Sequence, residues 1–159
     1  MDLDALKAEA DRLIFARFDE DTALELGIAL VELAWADALP VVIDIRTPDR
    51  TLFHAALPGS SPDNDHWARR KSATALHFHK SSLQVGTELR SKERSLSYQG
   101  LSPTDFADHG GAVPIRVAGV GVVAAATVSG LPQLKDHALV VQAMDTLLAT
   151  FAGQQAEAP

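Results

Sequence analysis

Apolar residues recur three or four apart at Leu3, Leu6, Ala10, Leu13 and Ile14, which predicts one amphipathic helix over residues 2–15. Asp19 supplies an N-cap signal, and Leu24, Ile28, Val31 and Trp35 continue at helical spacing to about residue 38. Trp35 belongs to that stripe and is expected in the core. Pro40 ends the run, because the residue before a proline is pushed out of the α region. The period then changes. Runs 41–45 and 52–56 are short and apolar, and Thr47-Pro48-Asp49-Arg50 between them is a turn with a mechanism: proline presets φ and aspartate bonds back to the backbone. A β-hairpin follows, with Asp44 and His54 inside its strands and expected on a solvated face.

Helical signals return at Ser61-Pro62-Asp63, where serine caps, proline takes the first helical position and acids fill the first turn of a helix reaching about residue 80. Another helix fits 81–92. After a polar connection over 94–100, Ser102-Pro103-Thr104-Asp105 repeats the same start and predicts one or two helical turns ending at His109-Gly110-Gly111. Runs 114–118 and 121–129, joined by Gly119-Val120, read as antiparallel strands. The second is apolar on both faces, so helices or a subunit interface are expected to cover it. A last helix begins after Pro132 and carries Val140, Met144, Leu147, Leu148 and Phe151 on one face to about residue 151. The pattern predicts a single α/β (α+β) domain over 1–152, a central antiparallel sheet flanked by helices, and a flexible tail over 153–159.

Composition narrows the chemistry. The 159 residues carry a net charge of −7, which argues against a nucleic-acid partner. The one basic knot, Arg69-Arg70-Lys71, is too small for a duplex and large enough for one anionic group. No cysteine is present, which fits a reducing, cytoplasmic setting. No apolar window is long enough to span a membrane, and the charged start MDLDALKAEADRL shows no secretory signal.

Two motifs fail on inspection. Gly119-Val-Gly121-Val-Val-Ala124 matches a dinucleotide fingerprint in letters, yet a hairpin turn and β-branched residues stand where a helix should receive the pyrophosphate. Ser129, Asp136 and His137 form no hydrolase set: no nucleophile elbow surrounds Ser129, and adjacent residues on a helix point about 100° apart. What remains is a convergence. Gly110 and Gly111 lack side chains that would block approach to their backbone N–H groups. The His109 imidazole can donate, accept or coordinate iron. Asp136 stands in the first turn of the last helix, whose N-terminus attracts anions. A helix stop explains His109-Gly110-Gly111 equally well, and a solvated basic turn explains Arg69, Arg70 and Lys71.

The strings Pro62-Asp63-Asn64-Asp65-His66-Trp67-Ala68-Arg69-Arg70-Lys71, His109-Gly110-Gly111-Ala112-Val113-Pro114-Ile115-Arg116-Val117 and Val128-Ser129-Gly130-Leu131-Pro132, with Asp136-His137, carry a family likeness. Together they resemble a cytosolic branch of the HbpS-like, or haem-degrading, domains. The resemblance covers the chain from Phe18 to the last helix. It implies a profilin-like sandwich, compact homo-oligomers, and haem binding or degradation, with His109 as iron ligand and Arg69 to Lys71 as partners of the propionates. The residues alone leave two further readings open. One is a non-catalytic module holding a small carboxylate or phosphate on Gly110, Gly111 and Arg70 or Lys71. The other is an oligomeric scaffold in which the same residues only pack.

Overall fold

The structure, a computed structural model, describes residues 1–157. Helix α1 (Leu3–Arg12) leads through a two-residue strand, β1 (Ile14–Phe15), into α2 (Glu20–Ala36). The hairpin β2 (Val42–Arg46) and β3 (Thr51–Ala56) precedes helices α3 (Pro62–Phe78) and α4 (Ser82–Ser91). A 3-10 turn at Leu96–Gln99 precedes a second hairpin, β4 (Ala112–Val117) and β5 (Gly121–Ser129), and α5 (Gln133–Glu157) closes the chain. The strands form one sheet in the order β1-β4-β5-β2-β3. β5 pairs antiparallel with both β4 and β2, which puts the last strand of the chain at the centre of the sheet.

Side-chain alternation gives the sheet two unlike faces. Ile43, Ile45, Val113, Ile115, Ala124, Ala126 and Val128 face a core completed by Leu26 and Leu30 of α2 and by Val140 and Met144 of α5. The opposite face is covered by α3, with Ala75 on Ala112 and Ala125. It also carries polar residues: Thr127 Oγ1 lies 2.8 Å from Ser72 Oγ, and Ser82 Oγ accepts the Ala112 amide hydrogen at 3.0 Å. Helices thus sit on both sides of β5, as its doubly apolar sequence requires.

Several elements differ from the sequence expectation. The first helix stops at Arg12, and Ile14 and Phe15 pair parallel with Arg116 and Val117 of β4. An apolar β-forming pair beside an open sheet edge adds a strand in preference to another helical turn. The sheet is therefore antiparallel except for this pair. The turn at 102–106 does not grow into a helix. The Asp105 and Phe106 amides donate to the Ser102 carbonyl, and the Ala107 amide then donates to Arg70 O and Thr74 Oγ1 of α3. At the far end α5 runs helically to Glu157, so 153–157 continue the helix where a tail was expected; 158–159 lie outside the described residues.

Two burial expectations are overturned. The buried stripe of α2 is Ala23, Leu26, Gly27, Leu30 and Ala34, so the helix turns Leu24, Ile28 and Trp35 outward, with Trp35 68% exposed. A helix with two apolar stripes offers the core a choice, and the one with small residues wins because α2 must approach Phe53 closely at Gly27. Asp44 is not solvated but wholly buried under α3. Arg46 grips both its oxygens, and His54 bridges it to Asp65 on α3.

Candidate functional site

The polar layer beneath α3 opens at one end of the sheet into a cleft of about 220 Å³. Three elements build it. The first three turns of α3 contribute Asp63, Asn64, Trp67 and Lys71, at a spacing that puts them on one side of the helix. The end of β5 brings Ser129, followed by Gly130 and Leu131. The start of α5 brings Gln133 and Asp136, and His109 closes the rim.

Lys71 and Asp136 form the floor. Their side chains are 5% and 1% exposed, with Nζ donating to Oδ2 at 2.9 Å. The Asp136 carboxylate also accepts the amides of Leu131 at 2.9 Å and Gly130 at 3.4 Å, which ties the β5–α5 turn to the first turn of α5. Burial pushes the Asp136 carboxyl above its ordinary range, against the opposing pull of Lys71 and of those two amides. Among the described residues the Lys71 ammonium makes only this hydrogen bond. It has three donors, so two remain available at the bottom of the cleft.

The wall is aromatic. The Trp67 ring meets the His109 imidazole edge to face, with centroids 5.2 Å apart, and the Arg70 guanidinium lies 4.5 Å from the Trp67 centroid. The His109 side chain is 48% exposed, and its Nδ1 is 3.3 Å from Asp108 Oδ1. Behind it the two glycines are pinned. The Gly110 amide donates to Gln133 Oε1 at 2.9 Å, so this N–H is engaged and not open to a ligand as the sequence suggested. Gly111 has φ +141°, and a Cβ there would stand 2.4 Å from the Val128 carbonyl and 2.9 Å from Lys71 Nζ. The glycine lets the buried lysine lie against the backbone.

The fold thus brings His109, Gly110, Gly111, Lys71 and Asp136 together and turns Arg69 and Arg70 elsewhere. Arg69 donates to the Thr104 carbonyl at 3.0 Å and Arg70 to the Pro103 carbonyl at 2.9 Å, so both brace the 102–106 turn. Sequence reasoning passed over Trp67, Asn64, Ser129 and Gln133 as site residues. The spacing of Asp63, Trp67 and Lys71 at i, i+4 and i+8 was the available signal. His137, next to Asp136, serves a different place: its Nε2 lies 2.6 Å from Glu9 Oε1 in a buried pair between α5 and α1. Ser129, Asp136 and His137 therefore make no triad. No group of three or more His, Asp or Glu among the described residues is arranged to hold a metal ion. No helix among them is long and apolar enough to cross a membrane.

Fold and site define a mixed α/β protein with a polar cleft where α3, the end of β5 and the start of α5 meet. A family model described as "Haem degrading protein HbpS-like" matches residues 18–145, and the chain belongs to that family. It is 48% identical over 144 residues to a UPF0303 protein of Streptomyces coelicolor, covering 90% of this chain and 91% of that one. It is 46% identical to a UPF0303 protein of Acidobacterium capsulatum, over 92% and 89%. Among solved structures, the Ybr137w protein superposes with a TM-score of 0.84 at 30% identity, over 91% of this chain and 87% of that one. HbpS matches in fold at TM-score 0.67 and 21% identity, over 84% and 92%. A PduOC:Heme complex does so at 0.69 and 18%, over 82% and 94%.

Proposed function

We propose that the protein binds a small, oxygen-rich anion, a carboxylate- or phosphate-bearing molecule, in the cleft between α3, β5 and α5. One observation carries this reading: a buried ammonium, Lys71, lines a cleft at the N-terminus of a long helix and has one protein acceptor among the described residues for its three donors. Ligand oxygens complete its hydrogen bonding, and the α5 N-terminus adds favourable field. Trp67 and His109 supply a flat wall, and Asp136 holds Lys71 in place. At about 220 Å³ the cleft falls below the range of roughly 300–1,000 Å³ typical of drug-sized ligands, which favours a compact metabolite. In this reading the protein works in the cytoplasm as a homo-oligomer.

A second reading, haem, rests on family membership and on the half-exposed His109 imidazole at the rim. The cleft itself does not fit an enclosed porphyrin: it is too small and mostly polar, and Arg69 and Arg70 are occupied at the 102–106 turn. Haem in this reading sits at the mouth, with His109 toward the iron. The two readings separate in one set of titrations. Phosphate, malonate and citrate are added to wild type and Ser129→Ala under calorimetry, and hemin to wild type and His109→Ala under visible spectroscopy. Saturable heat weakened at least ~5-fold by Ser129→Ala supports the anion site. A saturable Soret shift lost in His109→Ala, with no heat from any anion, replaces it with haem.

A further inference from the structure

We propose that the outward face of α2 is a docking surface for a basic amphipathic helix of another protein. This face lies across the core from the cleft and is independent of the cleft's ligand. Leu24, Ile28 and Trp35 are 50%, 46% and 68% exposed, with half-buried Val31 between them. At about 100° per residue these four positions fall within roughly 60° of one another, a straight apolar stripe spanning three turns. An exposed tryptophan at the end of such a stripe is the residue type most enriched among binding hot spots. Next to it Trp35, Ala38, Leu39, Leu57 and Pro58 line a hollow of about 150 Å³, large enough for one incoming apolar side chain.

Charge selects the occupant. Asp21, Glu25 and Glu32, all exposed, lie along one edge of the stripe, about 60–100° from Leu24; Glu20 stands on the other edge and Asp37 at the C-terminal end. α2 contains no lysine, arginine or histidine. At its N-terminal end Arg50 is already engaged, with Nη2 2.6 Å from Glu20. A second copy presenting its own α2 is the wrong partner on this count. A two-fold antiparallel pairing of α2 stripes sets one acidic row against the other, and like charges face to face are unfavourable. A helix with an apolar stripe flanked by lysine or arginine matches both features.

The test uses labelled probe peptides of about 16 residues, one of leucine and lysine at amphipathic spacing and one of leucine and glutamate, with fluorescence anisotropy as readout. The leucine–lysine helix should bind saturably and the leucine–glutamate helix at least ~10-fold more weakly. Trp35→Ala should weaken the first by about 10-fold. Glu25→Lys/Glu32→Lys should weaken it by ~5-fold or more, whereas Asp4→Lys/Asp11→Lys, which changes net charge equally on exposed positions of α1, should leave it within about twofold. Equal losses in the two charge variants would reduce the effect to overall charge and overturn the proposal. So would a Trp35→Ala protein that sediments as a smaller assembly, since a second copy would then be what covers the stripe.

Discussion

The two faces of β5 differ by one residue of register and by everything in their chemistry. Ala124, Ala126 and Val128 look into a hydrophobic core with α2 and α5. Ala125, Thr127 and Ser129 look toward α3, into a layer holding Ser72, Asp44, Lys71 and Asp136. The first face holds the fold together by area. The second buries ions, which contribute little net stability even when well paired. The buried Lys71–Asp136 pair of that second face lies at the floor of the polar cleft.

This contrast yields predictions of decreasing size. Lys71→Met strands the Asp136 carboxylate in a buried place, and unfolding in urea should show a loss of about 3–5 kcal/mol. Adding Asp136→Leu should restore most of that stability while leaving the cleft unable to bind anions. A core substitution behaves differently. Leu30→Ala, wholly buried between α2 and the sheet, should cost about 2–4 kcal/mol with anion affinity unchanged in the folded fraction. If Leu30→Ala alters affinity as much as stability, the two faces are not separable. Gly111→Ala forces a Cβ against the Val128 carbonyl at a left-handed φ, and thermal denaturation should show a loss of about 1–3 kcal/mol.

The smallest effect is in pH. The Asp136 carboxyl is raised in the folded state from an ordinary value of 3.8. An acid whose folded value is raised contributes stability that is complete below its unfolded value and lost as pH rises through the folded one. Denaturation followed upward from pH 3.8 should therefore show wild type losing stability relative to Asp136→Asn as pH increases. A gain with rising pH would mean that Lys71 and the amides outweigh burial.

Much of the fold was legible because hydrophobic period and turn chemistry are local. The hairpins, the Ser61-Pro62 helix start and the apolar strand at 121–129 stand close to where the pattern put them. The failures were decided by partners distant in sequence. Ile14 and Phe15 became a strand because β4 left an edge open, and Trp35 faced outward because the small-residue stripe of α2 packed better. Asp44 was buried by α3, a helix whose position its own strand does not encode. The site was half legible for the same reason. His109, Gly110, Gly111 and Asp136 carried local signals, while the Lys71–Asp136 pair joins residues 65 apart. Arg69, Arg70 and Lys71 read as one basic knot, yet on a helix they point three ways, and only the third enters the cleft.

The most direct test of the account is calorimetric titration of phosphate, malonate and citrate into wild-type protein, Ser129→Ala, and the Lys71→Met/Asp136→Leu pair. Saturable binding of at least one anion, weakened by Ser129→Ala and abolished in the stable double variant, is the result predicted. No heat from any of the three, or binding that survives intact in the double variant, would contradict the claim that the polar face of β5 is built to hold an anion.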